Sequence, residues 1–295
     1  MKGSEFSDRV KTFVHELQNE IVSALEASDG AKEFKKIEWK RPGGGGGDSR
    51  VLEGGNIFEK AGVNTSIVFG ELPEVLQKKF GSPHREFFAT GISLVLHPRS
   101  PHVPTVHANF RYFEQPDRAW FGGGADLTPY TVSESDFVHF HRTLKAACDE
   151  HSLGAYPQYK KECDQYFFVE HRGETRGIGG IFFDFLKDDM EKNFEFVKSC
   201  GRSFLPAYIP IVESNKSKKF SERQKKFQLL RRGRYVEFNL VYDRGTLFGL
   251  QTKGNIESIL MSLPPEVNFD FMASMEESSE EKQLMSWLRN PREWA

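Results

Sequence analysis

The feature that most constrains the fold is a stretch between Phe87 and Thr128 in which apolar and polar residues alternate. It contains three runs with a period of two, at residues 88–97, 105–113 and 120–128, and prolines lie between them. Since successive side chains of a strand point to opposite faces, this pattern predicts three consecutive strands joined by turns.

Each of these strands has one apolar side and one side of short polar groups. The polar sides carry Ser93 and His97, then His107, Asn109 and Arg111, then Asp126 beside Gly122 and Gly124. A face that is only solvated is expected to carry Lys, Glu and Thr. Short polar groups next to glycine instead allow a large flat ligand to lie against the backbone, so we interpret this face as a binding surface. The alternative is an ordinary half-solvated sheet.

The same reasoning predicts further strands later in the chain. Residues 176–185 form one candidate, and residues 234–242 form another with Glu237 and Asn239 on its polar side. A tight turn at Asp243-Arg244-Gly245 then leads into a strand at 246–251.

Helical spacing alternates with these groups of strands. The predicted helices cover residues 8–27, 72–80, 134–150, 158–169, 188–200, 208–230, 255–262 and 280–289. Residues 43–47 are all glycine and predict a flexible loop, and residues 1–6 are interpreted as a cloning remnant. Strands that come in groups favour an α+β fold: a large, mostly antiparallel sheet flanked by helices on both sides, in a single domain over residues 1–295.

Charge and cysteine content narrow the class of protein. Lys+Arg number 40 and Asp+Glu 42, a net charge of −2 that gives no reason to expect a nucleic-acid or anionic-membrane partner. No apolar run approaches the ~20 residues of a membrane span. Three cysteines without CxxC spacing argue against a disulfide framework. Because the first thirty residues are rich in acids, unlike a transit or signal peptide, we expect a cytoplasmic protein.

Cofactor motifs are weak throughout the sequence. The glycine clusters at 122–124 and 177–180 lack the spacing of a dinucleotide fingerprint, which predicts no organic cofactor. Histidines are plentiful, but HExxH is missing and His139 and His141 have a spacing that does not converge on one ion. A divalent metal therefore stays an alternative that the sequence does not require.

Longer segments resemble the oxygen-dependent coproporphyrinogen III oxidase family. They are GISLVLHP at 91–98, HANFRYF at 107–113, WFGGGADLTPY at 120–130, RGIGGIFFD at 176–184, residues 231–250 and ESILMS at 257–262. The resemblance implies oxidative decarboxylation of coproporphyrinogen III to protoporphyrinogen IX in haem synthesis, with O₂ as co-substrate and release of CO₂ and H₂O₂. It also implies a homodimer, with residues 235–270 at the interface.

The resemblance assigns roles to individual residues. His107 matches a proton donor. Positions that match substrate contacts are Ser93, Asn109, Phe110 and Arg111. Positions that relatives describe as metal ligands are His97, His107, His141 and His171. Where family members commonly carry an arginine that contacts a propionate, this chain has Lys253-Gly254-Asn255. We expect Lys253 to restore part of the charge, and Arg244 is a further candidate for substrate binding.

Our mechanistic hypothesis places Asp243 at the pyrrole N–H groups of the macrocycle, with Asp126 as a second acid. On sequence alone, a turn role for Asp243 is the stronger interpretation. Two other classes stay open. A metal-dependent hydrolase or oxygenase requires His97, His107 and His171 to converge, and a non-catalytic tetrapyrrole carrier does not need both acids.

Overall fold

The computed structural model describes residues 3–74, 77–78, 81–151, 154–251 and 254–295. Its strands are β1 Lys35–Lys40, β2 Gly45–Glu53, β3 Phe58–Glu71, β4 Glu86–Pro98, β5 Thr105–Gln115, β6 Arg118–Thr128, β7 Phe168–Val169, β8 Glu174–Thr175 and β9 Gly180–Leu186. Seven of them form one antiparallel sheet in the order β1-β2-β3-β4-β5-β6-β9, and β7 pairs with β8. The prediction of an α+β fold with a large antiparallel sheet is confirmed.

The helices are α1 Glu5–Asp29, α2 Glu134–Asp149, α3 Tyr156–Tyr166, α4 Met190–Arg202, α5 Phe204–Asn215, α6 Glu222–Val241, α7 Arg244–Gln251, α8 Ile256–Leu260 and α9 Ser279–Arg289. Among the residues described, no helix is long and apolar enough to cross a membrane. Residues 4–6, set aside as a remnant, belong to the fold. Ser4 caps α1 by accepting a hydrogen bond from the Ser7 amide, and the Phe6 ring packs 5.6 Å from that of Tyr112.

The apolar face of the sheet forms the main core. Buried side chains of β4 and β5, among them Leu94, Val106 and Phe110, belong to one cluster with apolar residues of α1, α2, α4 and α5. Burial of this surface supplies most of the driving force for folding.

Helix α6 lies against the opposite, polar face. Its Gln228 and Arg232 donate to the Pro98 carbonyl at the end of β4, and Arg232 also pairs with Glu59 of β3 at 2.6 Å. Helices therefore cover both faces of the sheet, as predicted.

The predicted strands at 234–242 and 246–251 are wrong, because these residues lie in α6 and α7. The alternating Val236, Phe238 and Leu240 suggest a strand, but burial in α6 follows a helical period instead. Polar and apolar residues are mixed on that buried side, whose members are Phe227, Gln228, Leu230, Arg231, Arg232, Gly233, Tyr235, Phe238 and Asn239. Buried arginine and amide side chains obscure the helical period of a hydrophobic pattern.

The helix predicted over 208–230 is interrupted. Helix α5 ends at Asn215, and α6 begins after Ser221, which forms a capping box with Gln224. The strand predicted at 176–185 is present as β9, which begins only at Gly180.

Strands β1 to β3 are not anticipated by the sequence pattern. β1 is largely charged and β2 begins with glycines, so neither shows clear alternation. The prediction of a loop through Gly47 is wrong from Gly45 onward, since Gly45–Gly47 pair with β3. The helix predicted at 72–80 falls partly outside the described residues.

Candidate active site

The polar face is built from cross-strand rows of small and polar residues. One row places Ser93, Asn109, Gly124 and Phe182 side by side across β4, β5, β6 and β9. Because paired residues of adjacent strands face the same side, the Ser93, Asn109 and Phe182 side chains share one surface, with Gly124 as a gap between them. Ser93 and Asn109 are half-buried, so the surface stays accessible at its centre.

The neighbouring row presents Arg111 between Gly91 and Gly122. The Arg111 guanidinium lies 2.8 Å from an Asp184 carboxylate oxygen and donates to the Asn109 side chain at 3.0 Å. Its side chain is 40% exposed, which makes it an accessible cation with fork geometry for a carboxylate. A Cβ at Gly122 would lie only 2.5 Å from the Asp184 carboxylate, so glycine leaves room for this pair.

Phe110 points the other way. Its side chain is buried in the main core, 6.5 Å from the Phe183 ring. Only its backbone adjoins the polar face.

A third row brings His107 and Asp126 together. The His107 Nδ1 lies 2.8 Å from Asp126 Oδ1, and two nitrogens of Arg176 donate to the same carboxylate at 2.7 and 2.9 Å. Burial alone would raise the pKa of Asp126, but the Arg176 charge and the His107 hydrogen bond hold it below its usual value. Asp126 is therefore an ionised acceptor, and His107 Nδ1 is the donor.

Arg176 is enclosed by aromatic rings. Its Cζ lies 3.9 Å from the centroid of Phe167, 4.6 Å from that of Tyr235 and 4.9 Å from that of Phe238. The remaining nitrogen donates to the Asn239 side chain of α6 at 2.8 Å. The guanidinium thus joins β6, the segment before β9 and α6 in one buried unit.

Asp243 sits at the junction of α6 and α7, not in a hairpin turn. Its carboxylate accepts from the Thr246 amide at 2.7 Å and caps α7, and it accepts from the Tyr166 hydroxyl at 2.9 Å. Burial would raise the pKa of Asp243, but these hydrogen bonds and the nearby His107 hold it below its usual value. The predicted turn role is thus replaced by a capping role.

Tyr166 connects Asp243 to the polar face. Its ring stacks on Phe182 at 4.2 Å, and the Arg244 guanidinium lies 4.6 Å from the centroid of Tyr166 and 5.5 Å from that of Phe182. Asp243 and Arg244 therefore form a rim beside the row that contains Asn109.

The segment around α8 covers the far end of the same face. Asn255 caps α8 by accepting from the Ser258 amide, and the Ser258 hydroxyl lies 2.7 Å from that of Ser49 on β2. The Gly254 amide donates to the Gly249 carbonyl. Lys253 lies outside the described residues.

The structure does not bring together the four histidines that match metal-ligand positions of relatives. The ring nitrogens of His97 meet the Ser262 carbonyl and Thr105, whereas His141 meets Tyr156 and the Ile178 carbonyl. The remaining two pair with separate acids, His107 with Asp126 and His171 with Glu237. No group of three His, Cys, Asp or Glu side chains in the described ranges is arranged to hold a metal ion, so these histidines do not fit a shared one.

Sequence reasoning assigns no role to Tyr166, Arg176 or Asp184, although the last two fall in a segment that resembles the family. Arg176 and Asp184 flank a glycine-rich run in which no periodicity marks them. Their importance follows from contacts with β5, β6 and α6, which only the fold reveals.

On this face an accessible arginine lies on a floor of glycines beside an aromatic rim, an arrangement whose shape and charge suit a flat anionic ligand. The family model for coproporphyrinogen III oxidase matches residues 9–294. The chain is 50% identical, over 97% of its length, to "Oxygen-dependent coproporphyrinogen-III oxidase, chloroplastic" of Glycine max, of which it covers 79%. It is 48% identical, over 99% of its length, to "Oxygen-dependent coproporphyrinogen-III oxidase, mitochondrial" of Homo sapiens, of which it covers 68%. The chain belongs to the coproporphyrinogen III oxidase family, whose members are oxidoreductases.

Proposed function

We propose that the polar face is the active site at which this chain acts as an oxygen-dependent coproporphyrinogen III oxidase of haem biosynthesis. Each of two propionates loses CO₂ and two hydrogens to become a vinyl, and each pair of electrons reduces one O₂ to H₂O₂. The product is protoporphyrinogen IX. Together with the family membership, the observation that carries this proposal is the accessible Arg111 fork beside Ser93 and Asn109 on a floor of glycines.

Substrate binding follows from the chemistry of the macrocycle, which carries four carboxylates. Arg111 binds one propionate as a bidentate donor, and Arg244 supplies a second cation at the rim. Ser93 and Asn109 add hydrogen bonds. The Tyr166 and Phe182 rings provide an apolar wall.

For catalysis, Asp243 is the ionised group that accepts a proton from the pyrrole N–H groups and stabilises positive charge as electrons leave the ring. His107 acts as the proton donor, and Asp126 sets its orientation. The His107 Nε2 makes no hydrogen bond with the described part of the chain, so it is available to substrate. The reduced pyrroles supply the electrons for O₂, and the peroxide formed on a pyrrole takes the propionate β-proton as CO₂ leaves.

The homodimer also belongs to this proposal. Exposed apolar side chains concentrate within or next to residues 235–270, and they are Leu240, Val241, Leu247, Leu250, Ile256, Phe269, Phe271 and Met272. Such a patch is typical of a protein–protein interface. We assign it to a second copy of this chain, in continuity with the segment that resembles the family's dimer region.

Two expectations from the sequence, on Lys253 and on cellular location, are part of the same proposal. Lys253 is proposed to contact a propionate as a point charge, and an unchanged KM in Lys253→Ala would remove it from the site. The cytoplasmic location stays a prediction, which an organelle-resolved fractionation of the native host would test. The two relatives compared above carry plastid and mitochondrial names.

The test is turnover of coproporphyrinogen III by the purified protein, in air and under argon. We expect CO₂ and a product that oxidises to fluorescent protoporphyrin in air only. Product formed equally without O₂, or binding without product, would overturn the proposal, and the latter would favour a tetrapyrrole carrier. Metal analysis after chelator treatment tests the alternative of a metal-dependent hydrolase or oxygenase, which predicts that turnover is lost when the metal is removed.

A further inference from the structure

We propose that Arg176 is a positioning residue for the reaction, because it clamps Asp126 so that His107 is held with its proton on Nδ1 and its Nε2 presented to the substrate. This inference rests on the proposed role of His107. Arg176 itself is only 3% exposed, so we infer that it acts through its neighbours and not by direct contact with substrate.

The clamp fixes the carboxylate in one plane. Arg176 Nε donates to one oxygen of Asp126 at 2.9 Å and Nη2 donates to the other at 2.7 Å. A bidentate guanidinium leaves the carboxylate little freedom to rotate. The oxygen that faces His107 is therefore set by Arg176.

The second consequence concerns the His107 ring. An ionised carboxylate only accepts, so the ring nitrogen 2.8 Å away must donate. In a neutral ring that leaves Nε2 as the unprotonated nitrogen, and in a charged ring Nε2 carries the proton to be given away. Phe167 packs edge-on against the ring at 5.8 Å and restricts its rotation.

Arg176 also ties this arrangement to the second acid. Its bond to Asn239 holds α6, and Asp243 follows the end of that helix. Since the three aromatic rings around Arg176 come from the α3–β7 region and α6, the guanidinium fixes the position of α6 relative to β6. Arg176 thus contacts both the acid that pairs with His107 and the helix that precedes Asp243.

A matched pair of variants tests the inference. Arg176→Lys keeps the charge but loses the fork. Arg231→Lys makes the same change at another fully buried arginine, which pairs with Glu174 of β8, outside the seven-stranded sheet. We expect Arg176→Lys to lower kcat at least tenfold while KM changes less than about twofold, since a lost charge-assisted hydrogen bond corresponds to roughly a tenfold effect or more. Arg231→Lys should lower stability but leave kcat within twofold.

A spectroscopic readout separates this inference from the proposed function. In ¹⁵N-histidine spectra, with His107 assigned by the signal lost in His107→Gln, the wild-type protein should show a protonated Nδ1. Arg176→Lys and Asp126→Asn should both shift this signal toward a mixture of tautomers. If Arg176→Lys fails to fold, Asp126→Asn provides the same test of the His107 tautomer. A wild-type kcat with an unchanged His107 signal in Arg176→Lys would overturn the inference. Absence of turnover by the wild-type protein would instead overturn the proposed function. The His107 signal in the ¹⁵N spectra would then remain as the test of whether Arg176 positions His107.

Discussion

The guanidinium of Arg111 lies 2.8 Å from the carboxylate of Asp184, so the accessible cation of the polar face already has an anionic partner in the free protein. In the proposed substrate complex, a propionate must share or displace that partner. We therefore expect Asp184 to limit how tightly an anionic substrate is held.

Replacing Asp184 by Asn should therefore lower the KM for coproporphyrinogen III, by roughly two- to tenfold, because a partly exposed ion pair contributes on the order of 1 kcal/mol. Arg111→Lys should raise KM at least about tenfold through loss of the fork. Asp117→Asn, the same change in the exposed Asp117–Arg118 pair of the β5–β6 turn, is the control. A raised KM in Asp184→Asn would show that Asp184 orients Arg111 more than it competes for it.

Two glycines of β6 should respond differently to alanine. A Cβ at Gly122 meets the ends of the Asp184 and Arg111 side chains, which can move, so Gly122→Ala should fold normally but raise KM several-fold. A Cβ at Gly124 meets the Ile181 carbonyl at 2.3 Å, which is backbone, so Gly124→Ala should lower Tm by several degrees. Thermal unfolding together with KM separates the two effects. Equal Tm losses in both variants would contradict this account of the glycine floor.

The capping role of Asp243 can be separated from a catalytic role. Asn caps a helix about as well as Asp, whereas Ala costs about 0.5–2 kcal/mol. Asp243→Asn should therefore keep its free energy of unfolding but lose at least about a hundredfold in kcat, as expected for a lost acid–base group. Asp243→Ala should lose both. Near-normal turnover in the folded Asn variant removes Asp243 from the mechanism.

Two buried histidines should make the protein acid-sensitive. Burial and nearby cations lower the pKa of His97 to about 3, with Arg232 as the main cation, and that of His141 to about 3, with Lys160. Because the folded-state pKa lies below the unfolded value, stability is fully present above about pH 6.5 and falls as the pH drops toward 3. Each histidine adds a slope of about 1.4 kcal/mol per pH unit to the free energy of unfolding over that range. His141→Gln should show a shallower slope in urea titrations between pH 7 and 5, and an unchanged slope would exclude His141.

The apolar patch predicts the oligomeric state. Leu250→Asp and Ile256→Asp should convert a dimer to monomers in sedimentation velocity, because a buried unpaired charge opposes association. Ile37→Asp, at an equally exposed apolar residue of β1, is the control and should leave the dimer intact. A wild-type protein that sediments as a monomer at micromolar concentration would contradict the assignment of the patch.

The central strands were predictable because each has one buried face and one face of short polar residues, as at Val106 and His107. That contrast gives a clear period of two. Strands β1 and β2 lack it, since glycines and lysines occupy positions where apolar residues would mark a face. Strand β3 does alternate, with Ala61, Val63 and Ile67 on its core side, but the prediction misses it.

Helix α6 shows why the rest of the site could not be predicted. Arg232 and Asn239 are buried because Glu59 and Arg176 meet them, and those partners are distant in sequence. The same limit applies to Arg111 and Asp184, which only the antiparallel register brings together. A polar contact between distant segments leaves no periodic trace in either of them.

The two faces of the sheet also differ in how they tolerate amino-acid substitutions. The apolar side is held by many non-directional contacts, whereas the polar side depends on a few directional pairs, with Arg176 in the middle of them. A substitution in those pairs can therefore leave a chain with native secondary structure that has nonetheless lost its function. For variants of this protein, a native circular dichroism spectrum does not show that the polar face is intact.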